Sequence, residues 1–312
     1  LERCVTPLIE QLTTAVNGPH LQTHKVAPAL SQVVGRSFVI AYQEDTTRLE
    51  QALKREGLAI TMLRQTDNPD LNGCASIYRC MKNHSRAWQR TARATAPSLI
   101  VEADFVPVVG MGQLPFPADL AREPVGIVWL YTCAPQLYSV SPQGFAEGFS
   151  TSLVAYVLTP RAAAALAEFV PWITQRYGTG YSTFDSELDR FLRDRGFKNY
   201  IAFRNYGEHG GIPNPEHRQH GFSGIHRADV LAGRLAFVPT YARSPQSVQS
   251  AKSPTAVMRP PLSYLRIRLW ARLKGLGRLA LGRFLRWPVM RGSSTPGRMM
   301  RWAIARHLTR HL

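Results

Sequence analysis

Five short apolar runs constrain the fold of this chain more than any other feature. They are "SFVIAY" (37–42), "AITMLR" (59–64), "LIV" (99–101), "VGIVWLY" (125–131) and "LVAYVLT" (153–159). Each is too short for a helix, and most are too continuously apolar for a strand with one wet face, so they read as buried strands. The first two flank "DTTRLEQALKREGL". That segment predicts a helix capped by Asp45 or Thr46, with Leu49 and Leu53 on one face and Gly57 at its end. Strand, helix, strand in this rhythm predicts a right-handed βαβ unit and a parallel sheet. Further helices are expected around Leu8–Val16 and over "CASIYRCMKNHSRAWQRTARA", where the apolar Ile77, Met81, Ala87 and Trp88 fit helical spacing only in part. Two more follow, one from Pro160 through "PRAAAALAEFV" and one over "TFDSELDRFLRDRGF", ended by Gly196.

The 312 residues are 45% hydrophobic and 19% charged, enough for one large α/β domain or two small ones. No run of about 18 apolar residues exists to span a bilayer. The opening residues, "LERCVTPLIEQL", lack a basic start followed by an unbroken apolar core, so no signal peptide is expected. Cys4, Cys74, Cys80 and Cys133 make neither a C-x-x-C pair nor a dense framework, and read as reduced thiols of a cytosolic protein. The net charge of +17 is unevenly placed. Residues 1–229 hold 22 Lys+Arg against 21 Asp+Glu, whereas residues 230–312 hold 16 Lys+Arg and no acid. The basic character therefore belongs to the C-terminal segment alone.

The run at 99–101 ends in "VEADFV", with Glu102 and Asp104 one residue apart. Buried carboxylates are costly unless something positive meets them. Alternate residues of an extended segment point the same way, so both acids are expected on one side, at the carboxyl end of a strand where open α/β sheets bind ligands. Two oxygens there suit Mg²⁺ or Mn²⁺ together with a substrate diphosphate. The spacing is equally compatible with two solvated acids at a strand end.

Four segments in order, covering roughly residues 37 to 203, resemble bacterial glycosyltransferase family 25, the lipopolysaccharide biosynthesis galactosyl- and glucosyltransferase group. "VIAYQEDTTRLEQALKREGL" is similar to the family's opening strand and arginine-bearing helix, with Arg48 at its arginine. "NHSRAWQRTA" resembles its Ser-His-x-x-Ala-Trp helix, "LIVEADFV" its Glu-Asp-Asp strand end, and "AYVLTPRAAAALAEF" its Ala-Tyr-containing segment. Ala103 replaces the middle acid, "AYQED" lacks the usual Asn after the first strand, and Asn83 precedes His84 in place of Ser.

The resemblance implies a GT-A-like mixed sheet flanked by helices, a divalent metal (Mn²⁺ or Mg²⁺), and inverting transfer of a hexose from a nucleotide sugar. UDP-galactose or UDP-glucose would be the donor, and lipopolysaccharide or another envelope glycan or glycolipid the acceptor. Asp104 and Glu102 would serve the metal, and Glu102, Arg48, Arg86 and His84 the donor; the two arginines read equally as salt-bridge partners. A catalytically degenerate, membrane-tethered binding protein is the alternative.

An inverting transfer needs a base for the acceptor hydroxyl. Asp185 is the first choice, at the start of its helix where the family carries an acid, although it also reads as an N-cap. Glu187 and Asp189 read as a solvated helix face. The stretch 205–226 is rich in Gly, His and Asn and reads as a loop. His209, His217, His220 and His226 read as polar loop residues, unless His209 or His220 reaches the diphosphate or completes the metal shell.

The expected organisation is an N-terminal extension (1–30), a GT-A-like domain (31–243), a Ser/Pro/Gln-rich linker (244–261) and a basic amphipathic tail (262–312). In the tail Leu262, Leu265, Leu269, Leu273, Leu276, Ala280 and Trp287 share a helical stripe, with Arg266, Arg268, Lys274, Arg278 and Arg286 mostly off it. That pattern predicts a helix lying on an anionic membrane surface, in preference to nucleic acid. Gly275, Gly277 and Gly282 are expected to weaken this helix in water. The protein is thus expected in the cytoplasm, on the inner face of the membrane.

Overall fold

The protein is described by a computed structural model covering residues 27–66, 68–211, 216, 219–221, 227–242 and 262–308. The predicted helix at Leu8–Val16, most of the N-terminal extension and the linker lie outside these residues. Eight strands form one mixed sheet in the order β2-β1-β3-β8-β5-β9-β7-β6. They are β1 (Arg36–Ala41), β2 (Ile60–Arg64), β3 (Ser98–Glu102), β5 (Val125–Trp129), β6 (Gln136–Val140), β7 (Ala146–Phe149), β8 (Ala155–Leu158) and β9 (Lys198–Ile201). A second, two-stranded antiparallel sheet pairs β4 (Phe105–Pro107) with β10 (Gly207–His209).

The apolar runs fold as expected because each presents alternate residues to two cores. Phe38, Ile40, Ile100, Ile127, Trp129, Tyr156 and Leu158 face one core. Val39, Leu99, Val101, Val128, Ala155 and Val157 face the other. The first core is covered by α3 (Ser76–Ala92), α4 (Pro160–Ala165), α5 (Phe169–Tyr177) and α6 (Phe184–Arg193). The second receives α2 (Thr47–Arg55) through Leu49 and Leu53, and also Leu30 from the short helix α1 (Leu30–Val33). This is an α/β fold with a mixed sheet flanked by helices, as the sequence predicts.

Local signals hold with small corrections. β1 and β2 pair in parallel around α2. Gly57 and Gly196, just past α2 and α6, both have the positive φ of a helix stop (76° and 82°). Thr46 occupies the N-cap of α2, but its hydroxyl donates to Glu50 (2.8 Å), and it is Asp45 that accepts from the Thr47 N–H (3.0 Å). Thr159 caps α4, accepting from the Ala162 N–H at 3.3 Å, with Pro160 in the first turn.

The basic C-terminal segment differs most from expectation. It forms α7 (Leu262–Ala280), α8 (Trp287–Gly292) and α9 (Pro296–Leu308), so Trp287 starts a new helix and does not extend the α7 stripe. Phe284, Met299, Trp302 and Ala303 enter the first core, and the Leu137 N–H donates to the Phe284 carbonyl at 3.0 Å. Arg306 is fully buried. Its guanidinium donates to the Ala202 carbonyl (2.9 Å), the Phe203 carbonyl, Thr132 Oγ1 (3.2 Å) and Asp229 Oδ1 (2.8 Å). Gly275 is required for close approach, since a Cβ there would stand 2.8 Å from Asp229 Cβ. Among the described residues no helix is long and apolar enough to cross a membrane.

Candidate functional site

The register of the sheet places the carboxyl ends of β1, β3, β5 and β9 along one edge, since β1 and β3 are parallel, β5 and β9 are parallel, and β8 runs against both β3 and β5. Glu102 is the last residue of β3. Asp104 is not part of that strand: residues 103 and 104 form a turn into β4. The predicted strand alternation is therefore corrected, and the two acids meet across a turn. The Ala103 N–H anchors it on the Ile40 carbonyl at 2.8 Å, and the Asp104 carbonyl accepts from the Gly210 N–H at 2.8 Å.

The antiparallel register sets His209 opposite Phe105, and this brings its ring to the turn. His209 Nε2 lies 2.8 Å from Asp104 Oδ2. One ligand atom from each of Glu102, Asp104 and His209 lies within 4.8 Å of the others. Burial opposes charge on His209, but the adjacent Asp104 carboxylate outweighs it and raises the imidazole pKa. Burial likewise works against ionisation of Asp104, and His209, with Arg227 behind it, lowers its pKa.

Two observations fit this group to a cation. Among the described residues, buried Asp104 Oδ1 has no hydrogen-bond partner, and such an oxygen is costly unless something positive meets it. Gly211 leaves the space beside the carboxylate open, for a Cβ there would sit 2.1 Å from Asp104 Oδ2 and 3.3 Å from His209 Nε2. Two carboxylates and an imidazole are a donor set that suits Mn²⁺, and Mg²⁺ through its oxygens.

Glu102 is held from behind. His84, with no exposed surface, places Nε2 3.2 Å from Glu102 Oε1 and Nδ1 3.0 Å from the Tyr156 hydroxyl. Trp88 Nε1 donates to the same hydroxyl at 2.8 Å. The Glu102 carboxylate can only accept, so His84 donates through Nε2; in the neutral ring Nδ1 then accepts from the Tyr156 hydroxyl, which in turn accepts from Trp88. Burial pushes the Tyr156 hydroxyl well above its usual range, which keeps it a donor. Cys80, His84 and Glu102 form a second cluster of ligand atoms, but both His84 nitrogens are already committed. The Cys80 thiol is driven well up by burial and by the charges of Glu102, Asp104, Asp185 and Glu44.

Asp185 lies in the first turn of α6, one residue inside the helix, and is not its N-cap. Burial pushes its carboxyl up to about 7, against the pull of the Ser186 N–H, and the charge of Glu102 adds to the rise. Glu187 accepts from Tyr177 at 3.1 Å near the surface. Asp189 is not solvated as expected: it is buried and bound to Arg193 (2.9 Å), Asn199 (2.9 Å) and Tyr138 (3.3 Å).

Other expected residues lie outside the cluster. Arg48 is exposed on α2. Arg86 donates to the Arg64 carbonyl (2.6 Å) and Asn83 Oδ1 (3.0 Å), while Asn83 ties the ends of β1 and β2 through the Ala41 and Leu63 carbonyls. His220 stacks on Tyr181 with centroids 3.9 Å apart; His217 and His226 lie outside the described residues. Glu216, from the same loop, accepts from the Ser76 and Ile77 N–H groups (3.2 Å each) at the start of α3. A cleft of about 720 Å³ on the helical side, bordered by Lys82, Ser85, Gln89 and Arg93, contains none of the clustered carboxylates.

Sequence reasoning assigned no role to Gly211 or to Tyr156, the tyrosine of the Ala-Tyr segment. Paired glycines directly after His209 were the available signal for the first. A lone hydroxyl within the apolar "AYVL" was the signal for the second.

No protein-family model and no curated protein matches the chain. Among solved structures it is similar to glycosyltransferases. One is involved in the glycosylation of the major capsid of PBCV-1, at 9% identity over 54% of this chain and 81% of that one, with a TM-score of 0.36. Another is the mannosyltransferase PcManGT from Pyrobaculum calidifontis in complex with GDP-Man and Mn²⁺, at 13% identity over 97% of this chain and 94% of that one, with a TM-score of 0.29. Likenesses this distant carry no residue-level meaning; what the site can do rests on its own geometry.

Proposed function

We propose that this protein is a metal-dependent inverting glycosyltransferase of GT-A type that moves a hexose from a nucleotide sugar to an envelope glycan acceptor. The observation that carries this reading is the buried Asp104 Oδ1, unpartnered among the described residues, beside Glu102 and His209. Asp104, Glu102 and His209 would hold Mn²⁺ or Mg²⁺, which as a Lewis acid neutralises a departing diphosphate. His84 fixes Glu102 through its Nε2 proton, and Tyr156 and Trp88 fix His84 in turn.

Asp185 takes the acceptor hydroxyl proton as the new bond to the anomeric carbon forms and the sugar–diphosphate bond breaks. A carboxyl held near 7 is matched to that task at neutral pH. UDP-galactose and UDP-glucose are the donors the sequence resemblance favours.

The test combines binding with turnover. Mn²⁺ titration by calorimetry, followed by thermal shift with a panel of nucleotide sugars, should give metal-dependent stabilisation by one donor class. Asp104→Ala should remove it. Equal donor binding with and without Mn²⁺ sinks the metal assignment. Unchanged turnover in Asp185→Asn sinks the base.

A further inference from the structure

We propose that the outward face of α7 is a docking surface for an anionic lipid bilayer. Leu262, Leu265, Leu269, Trp270 and Leu273 are between 49% and 84% exposed. The four leucines recur at spacings of three and four along about 17 Å of helix. They are not surplus packing. The opposite face already anchors the helix through Tyr264, Arg268, Ala271 and Gly275. Contiguous apolar surface of this kind marks an interaction site.

Charge identifies the occupant. On one flank of the leucines, Arg266, Trp270 and Lys274 follow each other at four-residue spacing and are exposed. Among the described residues neither cation makes an ion pair. No acid occurs anywhere in residues 230–312 to attract a basic partner or to pair with a second copy of the helix. Two such faces brought together would set cation against cation. Nucleic acid would satisfy the cations but leave four leucines in water. A bilayer with anionic headgroups satisfies both, with an indole at the boundary between them. The helix would lie on the membrane, not through it.

The same helix reaches the candidate site. Arg268, turned inward, is ion-paired with the fully buried Glu208, the chain neighbour of His209. Docking would therefore fix the carboxylate cluster at a set height and tilt relative to the lipid surface. The docking inference does not depend on the transferase reading, since its test uses neither donor nor acceptor.

The test is flotation of the full chain with phosphatidylcholine–phosphatidylglycerol vesicles against pure phosphatidylcholine. The wild type should float with the anionic vesicles only. Leu269→Glu with Leu273→Glu should reduce partitioning by more than about tenfold. Arg266→Gln and Lys274→Gln should each reduce it about fivefold, the factor corresponding to ~1 kcal/mol per basic residue. Circular dichroism confirms folding; if the glutamate pair unfolds the protein, the glutamine variants decide the matter. Three results overturn the proposal. One is wild type left at the bottom of the gradient with anionic vesicles. The second is flotation unchanged in all the variants. The third is a lipid-free dimer that the glutamate pair converts to monomer, which makes the face a contact between copies.

Discussion

Replacing Arg306 tests whether the basic C-terminal segment is part of the folded body. The side chain is fully buried and donates to two carbonyls, Thr132 and Asp229. Asp229 also accepts from Asn205 Nδ2 and the Val230 N–H, at 2.8 Å each, and lies 3.3 Å from His307 Nε2. Burial alone would raise the Asp229 carboxyl, but Arg306 and His307 hold it far below the usual range. Arg306→Met keeps an apolar stem against Phe284 and Trp302 while removing the charge. Breaking a buried pair in this way costs about 3–5 kcal/mol, because the remaining charge stays buried. For a chain of this size, with an unfolding entropy of about 0.65 kcal/mol/K, that lowers the thermal midpoint by about 5–8 °C.

The pH dependence has a definite sign. The depressed carboxyl stabilises the wild type at all pH values above its unfolded pKa of about 3.9, and that contribution fades only as pH falls towards the folded value. In the variant the carboxyl pKa rises, so protonation relieves the orphaned charge and the gap between the two proteins narrows towards acid. Calorimetric scans of both proteins between neutral and acid pH measure this. A midpoint shift below about 1 °C at neutral pH would show that α9 does not dock where Arg306 places it.

Further outcomes follow from the candidate site. Gly211→Ala, whose Cβ would stand 2.1 Å from Asp104 Oδ2, should weaken Mn²⁺ binding about tenfold or more by calorimetry; unchanged affinity removes Asp104 from the metal. In the metal-free protein, carbon-detected NMR should find Asp185 titrating near 7, not near the ordinary carboxyl value of about 3.9. The sign is opposite to that of Asp229: stability from this group is fully present below about 4 and is lost as pH rises through about 7. Asp185→Asn should abolish that loss and lower transfer about 10²–10⁴-fold. Tyr156→Phe strips His84 Nδ1 and Trp88 Nε1 of their partner in a dry core. It should cost about 1–3 kcal/mol in urea unfolding, and a neutral result would refute the two hydrogen bonds assigned to that hydroxyl.

The central strands were legible because residues such as Val39, Ile100 and Val157 must fill cores on both faces of the sheet. β7 was not, because "AEGF" carries Gly148 where a Cβ would lie 2.6 Å from the Gln136 carbonyl, a demand set by a neighbouring strand. Glu102, Asp104 and His209 could be singled out by residue type. Their meeting depends on a turn at 103–104 and on β4–β10 pairing across about a hundred residues, which no local pattern encodes. The inward face of α7 was hidden for a related reason. An arginine reads as solvent-facing until its carboxylate partner, Glu208, is located sixty positions upstream.

β10 is only three residues long, yet it joins two demands of opposite direction. Consecutive side chains of a strand point to opposite sides: Glu208 goes to Arg268 on α7, His209 to Asp104. A single inserted or deleted residue between Asn205 and Gly211 would exchange those directions. It would offer an imidazole to an arginine and a third carboxylate to an already acidic turn. A change of length in this short stretch should therefore disrupt both contacts at once.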